Sequence, residues 1–134
     1  MKELFRIFRV NNFVLHELVK TPNLPHRHNY EEIIVVIKGT IEHFIDFDST
    51  RLNAPFISFI TKGKTHRISP IDTGEDCDGF VICFQSEFVS GSIFKLYHFF
   101  HDDANVVFST RREFERFVAL CKILDDEAQQ DPPD

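Results

Sequence analysis

Four side chains in the first half of this chain have types and spacings suited to joint action. His26, His28 and Glu32 lie in the stretch PHRHNYEEIIVVIKG, and all three positions are even. An extended chain sends alternate side chains to one face, so the three project together, with Tyr30 between them by the same parity. His66 stands in TKGKTHRIS, just after a glycine turn from which a second strand can run alongside the first. Three imidazoles and a carboxylate are the ligand types that hold Fe, Mn, Ni or Zn. The same groups offer hydrogen bonds of both signs to a small polar molecule, and neighbouring Phe rings can stack on a flat ligand face. His16, His43, His98 and His101 stand outside this pattern and receive no role, because an isolated histidine is more often structural than a ligand.

Bringing these groups together requires strands. Residues 4–84 read as short β-branched and aromatic segments broken by turn residues, which predicts strands over 4–8, 13–19, 28–37, 40–47, 56–60, 65–69 and 79–84. The breaks carry Asn11-Asn12, Lys38-Gly39, Asp48-Ser49, Asn53-Ala54-Pro55, Lys62-Gly63 and Asp72-Thr73-Gly74, each with turn chemistry. In TIEHFIDF, Ile41, His43, Ile45 and Phe47 share one face, while Phe44 sits on the other. Apolar groups on both sides suit a strand that lines an interior and packs outward as well. Seven such strands indicate a sandwich or barrel.

After Phe84 the period changes. SEFVSGSIFKLYHFF reads as one or two short helices interrupted at Gly91, and NVVF as a brief strand. Thr110 followed by Glu113 is a capping-box arrangement that opens a helix. Phe114, Phe117, Val118, Cys121 and Leu124 form a stripe along that helix, and Leu120 and Ile123 widen it. The extra width suits either docking on the sheet or seating a partner helix in a dimer. The tail DDEAQQDPPD is acidic, ends near two prolines and reads as a linker.

Composition narrows the function classes. The chain has 134 residues, a hydrophobic fraction of 43% and a net charge of −6, enough for one domain with its own core. With 15 Lys and Arg against 21 Asp and Glu it lacks the basic footprint of a nucleic-acid binder. No stretch reaches the roughly 20 apolar residues of a membrane helix, and no export signal is visible at the N-terminus. Three widely spaced cysteines argue for reduced thiols and a cytoplasmic location. Neither a nucleophile constellation nor a Gly-rich phosphate loop is present, with only five glycines in the chain.

The spacing His-x-His, three residues, Glu, six residues, Gly, met by His26, His28, Glu32 and Gly39, resembles the first motif of the cupin superfamily. Lys20 stands where that motif has its leading Gly. Gly63 and His66 match the second motif, whereas Thr61 replaces its usual Pro and Pro70 its usual Asn. Within the cupins, PHRHNYEEIIVVIKG, HFIDFDS, FISFITKGKTHRI and FVICFQSEF are most similar to the N-terminal sensor domains of AraC-type transcription regulators.

The resemblance implies a mainly β fold: a small antiparallel cupin-like barrel, of the double-stranded β-helix or jelly-roll kind, followed by C-terminal helices. It implies a sensor barrel over residues 1–108, a dimerisation helix over 109–130 and, from 131, a linker toward a helix-turn-helix domain that contacts DNA. His26, His28, Tyr30, Glu32 and His66 would line the site for a small polar effector, a sugar being one candidate, without catalysis and without a required cofactor. The alternative is a stand-alone oxygenase or isomerase in which His26, His28, Glu32 and His66 hold a divalent Fe, Mn, Ni or Zn ion.

Overall fold

The computed structural model describes residues 4–11, 29–45, 47–91, 105–106 and 110–130. The expected strand over 13–19, the part of the expected helical segment from 92 to 100, the linker from 131, and His26 and His28 all lie outside those residues. Eight strands are seen: β1 (Phe5–Asn11), β2 (Glu31–Lys38), β3 (Thr40–Ile45), β4 (Asp48–Asn53), β5 (Phe56–Ile60), β6 (His66–Ile71), β7 (Asp78–Phe84) and β8 (Asn105–Val106). Among the described residues a 3-10 turn covers Ser86–Phe88, and helix α1 spans Arg111–Gln129. The described residues are mainly antiparallel β with a C-terminal helix, in keeping with the mainly β fold that the resemblance implies.

Two sheets result, one in the order β1-β7-β2-β5-β8 and one in the order β4-β3-β6. β2 pairs with β7 and β3 with β6, both antiparallel. These nested pairings describe one two-stranded ribbon bent over on itself, with half of it in each sheet, which is the cupin-like arrangement. The bend falls at Gly39, the single residue between β2 and β3. Gly39 has φ +95°, and a Cβ there would lie 2.6 Å from Cys77 Sγ and 2.9 Å from Cys77 Cα, so both the dihedral and the space demand glycine. Among the described residues the two sheets share no ladder; side chains close the space between them.

That space holds the main core. Ile34, Val36, Phe56, Ile60, Val81 and Cys83 from the larger sheet meet Ile41 and Ile45 from the smaller, with Leu52 and Ile68 against them. A second apolar layer covers the outer face of the larger sheet, where Ile7, Val35, Phe80, Ile82 and Phe84 receive Cys121 and Phe117 of α1. The double-sided apolar pattern of β2 and β7 thus reflects burial on both faces. Thr110 caps α1 by accepting a hydrogen bond from the Glu113 amide at 3.1 Å, the contact expected of a capping box.

Several boundaries differ from expectation. β4 has no apolar alternation because all but one of its residues are exposed at the sheet edge, so hydrophobic pattern could not reveal it. β1 runs through Asn11, and β6 continues through Pro70, which an edge strand tolerates. β3 stops at Ile45; Phe47 takes φ 69° beside the hairpin and is 80% exposed, leaving the face it was expected to share. A tight turn ends the period-two alternation whatever the side chains beyond it.

Arg9 donates to both carboxylate oxygens of Asp78, at 2.9 and 2.7 Å, tying β1 to β7 at the sheet margin. The Arg9 guanidinium holds the Asp78 carboxyl below its ordinary 3.8, against the opposing effect of burial. A lowered folded-state value gives stability that is present above the unfolded pKa and lost as pH falls through the folded one. Both groups are partly solvated, so Asp78→Asn is expected to cost about 1 kcal/mol or less at neutral pH. Urea titrations of the two proteins should differ by that amount at pH 7 and converge as the pH falls through the lowered folded-state pKa of Asp78.

Candidate functional site

The strand registers sort the interior into tiers. The uppermost carries Arg6, Cys83, Glu32 and Ile60 across the larger sheet, with His66 and Ile45 on the smaller. The next carries Phe8, Val81, Ile34 and Ser58, facing Ile68 and His43. The lowest carries Val10, Gly79, Val36 and Phe56, facing Pro70, Ile41 and Leu52. Polarity is therefore concentrated at one end and falls away toward an apolar floor. Of the interior-facing groups, β2 supplies Glu32 at its start and only aliphatic residues below it, as its sequence predicts.

The two sheets meet across the uppermost tier, where His66 Nε2 lies 3.4 Å from Glu32 Oε2, both side chains being almost wholly enclosed. This brings together the two expected site residues from separate motifs. His66 reaches that position because the turn before it is held from outside. Lys62 N donates to Glu31 Oε2 at 3.0 Å, and Lys64 N to the Thr61 carbonyl at 3.2 Å. Gly63 supplies the φ of +90° that the turn needs. Glu31 and Glu32 thus divide their work: one faces outward and clamps the turn, and the next faces inward and meets the histidine that follows it.

Tyr30 is half-buried against the interior core, adjacent to this tier. Burial is the main cause that pushes its phenol up to about 12; Glu32 and Cys83 add to it and Arg6 opposes. Burial likewise raises the Cys83 thiol to about 12, with Glu32 reinforcing and Arg6 opposing. Both groups are neutral at physiological pH, so they offer a ligand hydrogen bonds and no charge. Arg6 is exposed at the rim, its guanidinium 5.0 Å from the Phe8 ring centre.

Three participants stand outside the expected site residues. His43 is wholly buried on the interior face of β3, with its ring centre 5.8 Å from that of His66 and the planes at 88°. Only its parity with Ile41 and Ile45 placed it inward. Cys83 and Glu31 are the other two; their contacts depend on which strands are neighbours.

As for a metal, Glu32 and His66 fit as two donors of an imidazole and carboxylate set. Among the described residues no group of three or more His, Cys, Asp or Glu side chains is placed to hold an ion. A complete set would need His26 and His28 as well.

Cys77, Cys83 and Cys121 are buried thiols, none in a disulfide. Burial also raises Cys121, to about 11. At pH 8 the thiolate fraction of Cys83 and Cys121 falls by roughly two to three orders of magnitude relative to an ordinary cysteine. Native protein treated with an aromatic disulfide reagent at pH 8 should therefore release thiolate from Cys83 and Cys121 at least about a hundredfold more slowly than protein in urea. Rates equal in the two conditions would contradict the enclosed interior.

No protein-family model matches the chain. No curated protein matches it either. Solved structures do resemble it. A cupin protein from Bacteroides fragilis aligns over 65% of this chain and 69% of its own, with 18% identity and a TM-score of 0.47. A Cupin 2 conserved barrel domain protein from Salinispora arenicola aligns over 75% of this chain and 76% of its own, at 14% identity and a TM-score of 0.45. A DMSP lyase from Ruegeria pomeroyi aligns over 66% of this chain and 42% of its own, at 17% identity and a TM-score of 0.47. Identities under 25% and TM-scores under 0.5 transfer none of these proteins' activities. The cupin-like architecture of this chain rests on its own nested pairing of β2 with β7 and of β3 with β6.

Proposed function

We propose that this chain is the effector-binding and dimerisation domain of an AraC-type transcription regulator in the cytoplasm. It senses a small polar metabolite in the barrel and acts on DNA through a helix-turn-helix domain outside these 134 residues. The observation that carries this reading is the two-sided character of α1. Cys121 is buried against the barrel with Phe117 beside it, while Leu120 and Ile123 are 63% and 59% exposed on the same helix. One helix thus touches the layer outside the ligand-facing strands and offers a second apolar edge to a partner. An effector that binds one arrangement of barrel and helix better than another shifts their populations by its differential affinity.

The enclosed polar tier at Glu32, His66 and Tyr30 supplies the sensing half. Its neutral phenol and thiol beside one carboxylate suit a hydroxylated or donor-rich molecule more than an anion. The contact between Glu32 and His66 also favours a second reading, a metal-dependent cupin enzyme. Elemental analysis separates the two: metal retained by the wild type and lost in both His28→Ala and Glu32→Ala would support the enzyme.

For the regulator, the reading frame past Asp134 should continue into a helix-turn-helix sequence; a stop codon there would remove the transcriptional role. Sedimentation should show a dimer that Ile123→Glu weakens by about a hundredfold or more, the effect of placing about 3 kcal/mol of uncompensated charge in an apolar contact. A wild type that stays monomeric at high concentration would overturn the dimerisation part.

A further inference from the structure

The interior face of β3 reads Ile41, His43, Ile45, and the exception has a structural consequence. On an antiparallel pair, residues one step off the direct partner lie within reach of ring-sized side chains. His43 pairs with Ile68 and Ile45 with His66, so His43 is the diagonal neighbour of His66 on the same face. The two rings meet at right angles with centres 5.8 Å apart, an edge-to-face contact that favours one relative orientation over others. Ile45 occupies the direct-partner position, so His66 is bordered by an aliphatic group on one side and a ring on the other. An isoleucine at 43 would continue the aliphatic face without directing the ring above it.

From this geometry we infer that His43 is a positioning residue, whose ring fixes the plane of His66 so that His66 Nε2 faces Glu32 across the two sheets. The inference rests on the reading of Glu32 and His66 as the binding tier. It adds that the tier is oriented from below by a residue that makes no ligand contact itself. The order is Glu32, His66, His43, running from the polar end toward the floor, with a contact of 3.4 Å in the first step and a ring-on-ring contact in the second. Groups in a binding site hold their geometry when packing locks their rotamers, and edge-to-face packing is one such lock.

The test is a nuclear Overhauser measurement between the His66 ring protons and the Glu32 side-chain methylenes, made at fixed pH on the 134-residue chain. Wild type and His43→Phe, which keeps the ring and loses its nitrogens, should both show the cross-peak. His43→Leu should lose about half of it or more, as for a ring shared between two χ1 wells. Should the leucine variant fail to fold, His43→Ile, which matches Ile41 and Ile45, serves in its place. A full-strength cross-peak in the aliphatic variant would overturn the inference, and so would its loss in His43→Phe. Failure of the binding reading looks different: Zn2+ or a panel of monosaccharides would leave the wild-type spectrum unchanged, while the variants still ranked in the stated order.

Discussion

Gly39→Ala is expected to destabilise the protein by about 3 kcal/mol or more, combining left-handed backbone strain with overpacking. The position is confined twice over. Its φ of +95° is a conformation that a Cβ disfavours, and the added carbon would meet the Cys77 sulfur and Cα from 2.6 and 2.9 Å. Cys77 cannot withdraw easily, since it is buried in the main core and its thiol faces the Thr40 carbonyl at 3.8 Å. Relief would have to come from opening the bend of the ribbon, which would separate β3 from its place opposite β2. The same bend sets the distance between Glu32 on β2 and His66 on the partner of β3, so the damage reaches the site as well as the fold. For a domain of this size the melting temperature should fall by roughly 10 °C. Calorimetry on Gly39→Ala, with the outer-turn variant Gly74→Ala as control, checks this. Gly74 also has positive φ but nothing within 4 Å of its Cβ position, so its loss should be confined to backbone strain. Equal losses in the two variants would show that the close approach to Cys77 has no energetic weight.

Phe56→Ala should be the most destabilising truncation in the core, at about 3–5 kcal/mol. The Phe56 ring is fully buried in the lowest tier, beside Val36 on β2 and below the polar groups. Removing it leaves a cavity between the sheets that neighbouring strands, fixed by their ladders, can only partly fill. A shift of the urea midpoint with an unchanged slope would mark a pure stability effect. Phe56→Leu, which keeps most of the volume, should recover the greater part of the loss. If alanine at 56 cost under about 1 kcal/mol, the floor would be loosely packed and the tiered interior described above would not hold.

The contrast between these two positions and the site residues shows what kind of information each level carries. Gly39 was legible as a turn glycine from Lys38-Gly39 alone, and its motif spacing to Glu32 was visible too. That its constraint comes from Cys77 was not, because the two are brought together only when the ribbon folds over. The apolar face of β2, the capped helix and the docking stripe at Val118 and Cys121 followed from period and capping chemistry. β4 was missed because an exposed edge strand has no burial pattern to read. By sequence His43 reads as an isolated histidine, since its contact with His66 depends on a diagonal between two strands more than twenty residues apart in the chain.

Local interactions therefore determined which segments are strands, where the final helix begins, and which residue types sit at the polar end of β2. Those properties depend on neighbours within a few positions, and side-chain order records them directly. Which strands lie opposite each other was decided only by the folded chain. From that follow the meeting of Glu32 with His66, the ring of His43 beneath it, the Glu31 clamp on the Gly63 turn and the neutral thiol of Cys83. Such contacts arise from the register between strands distant in sequence and from the exclusion of water between two sheets, and no local period encodes either one.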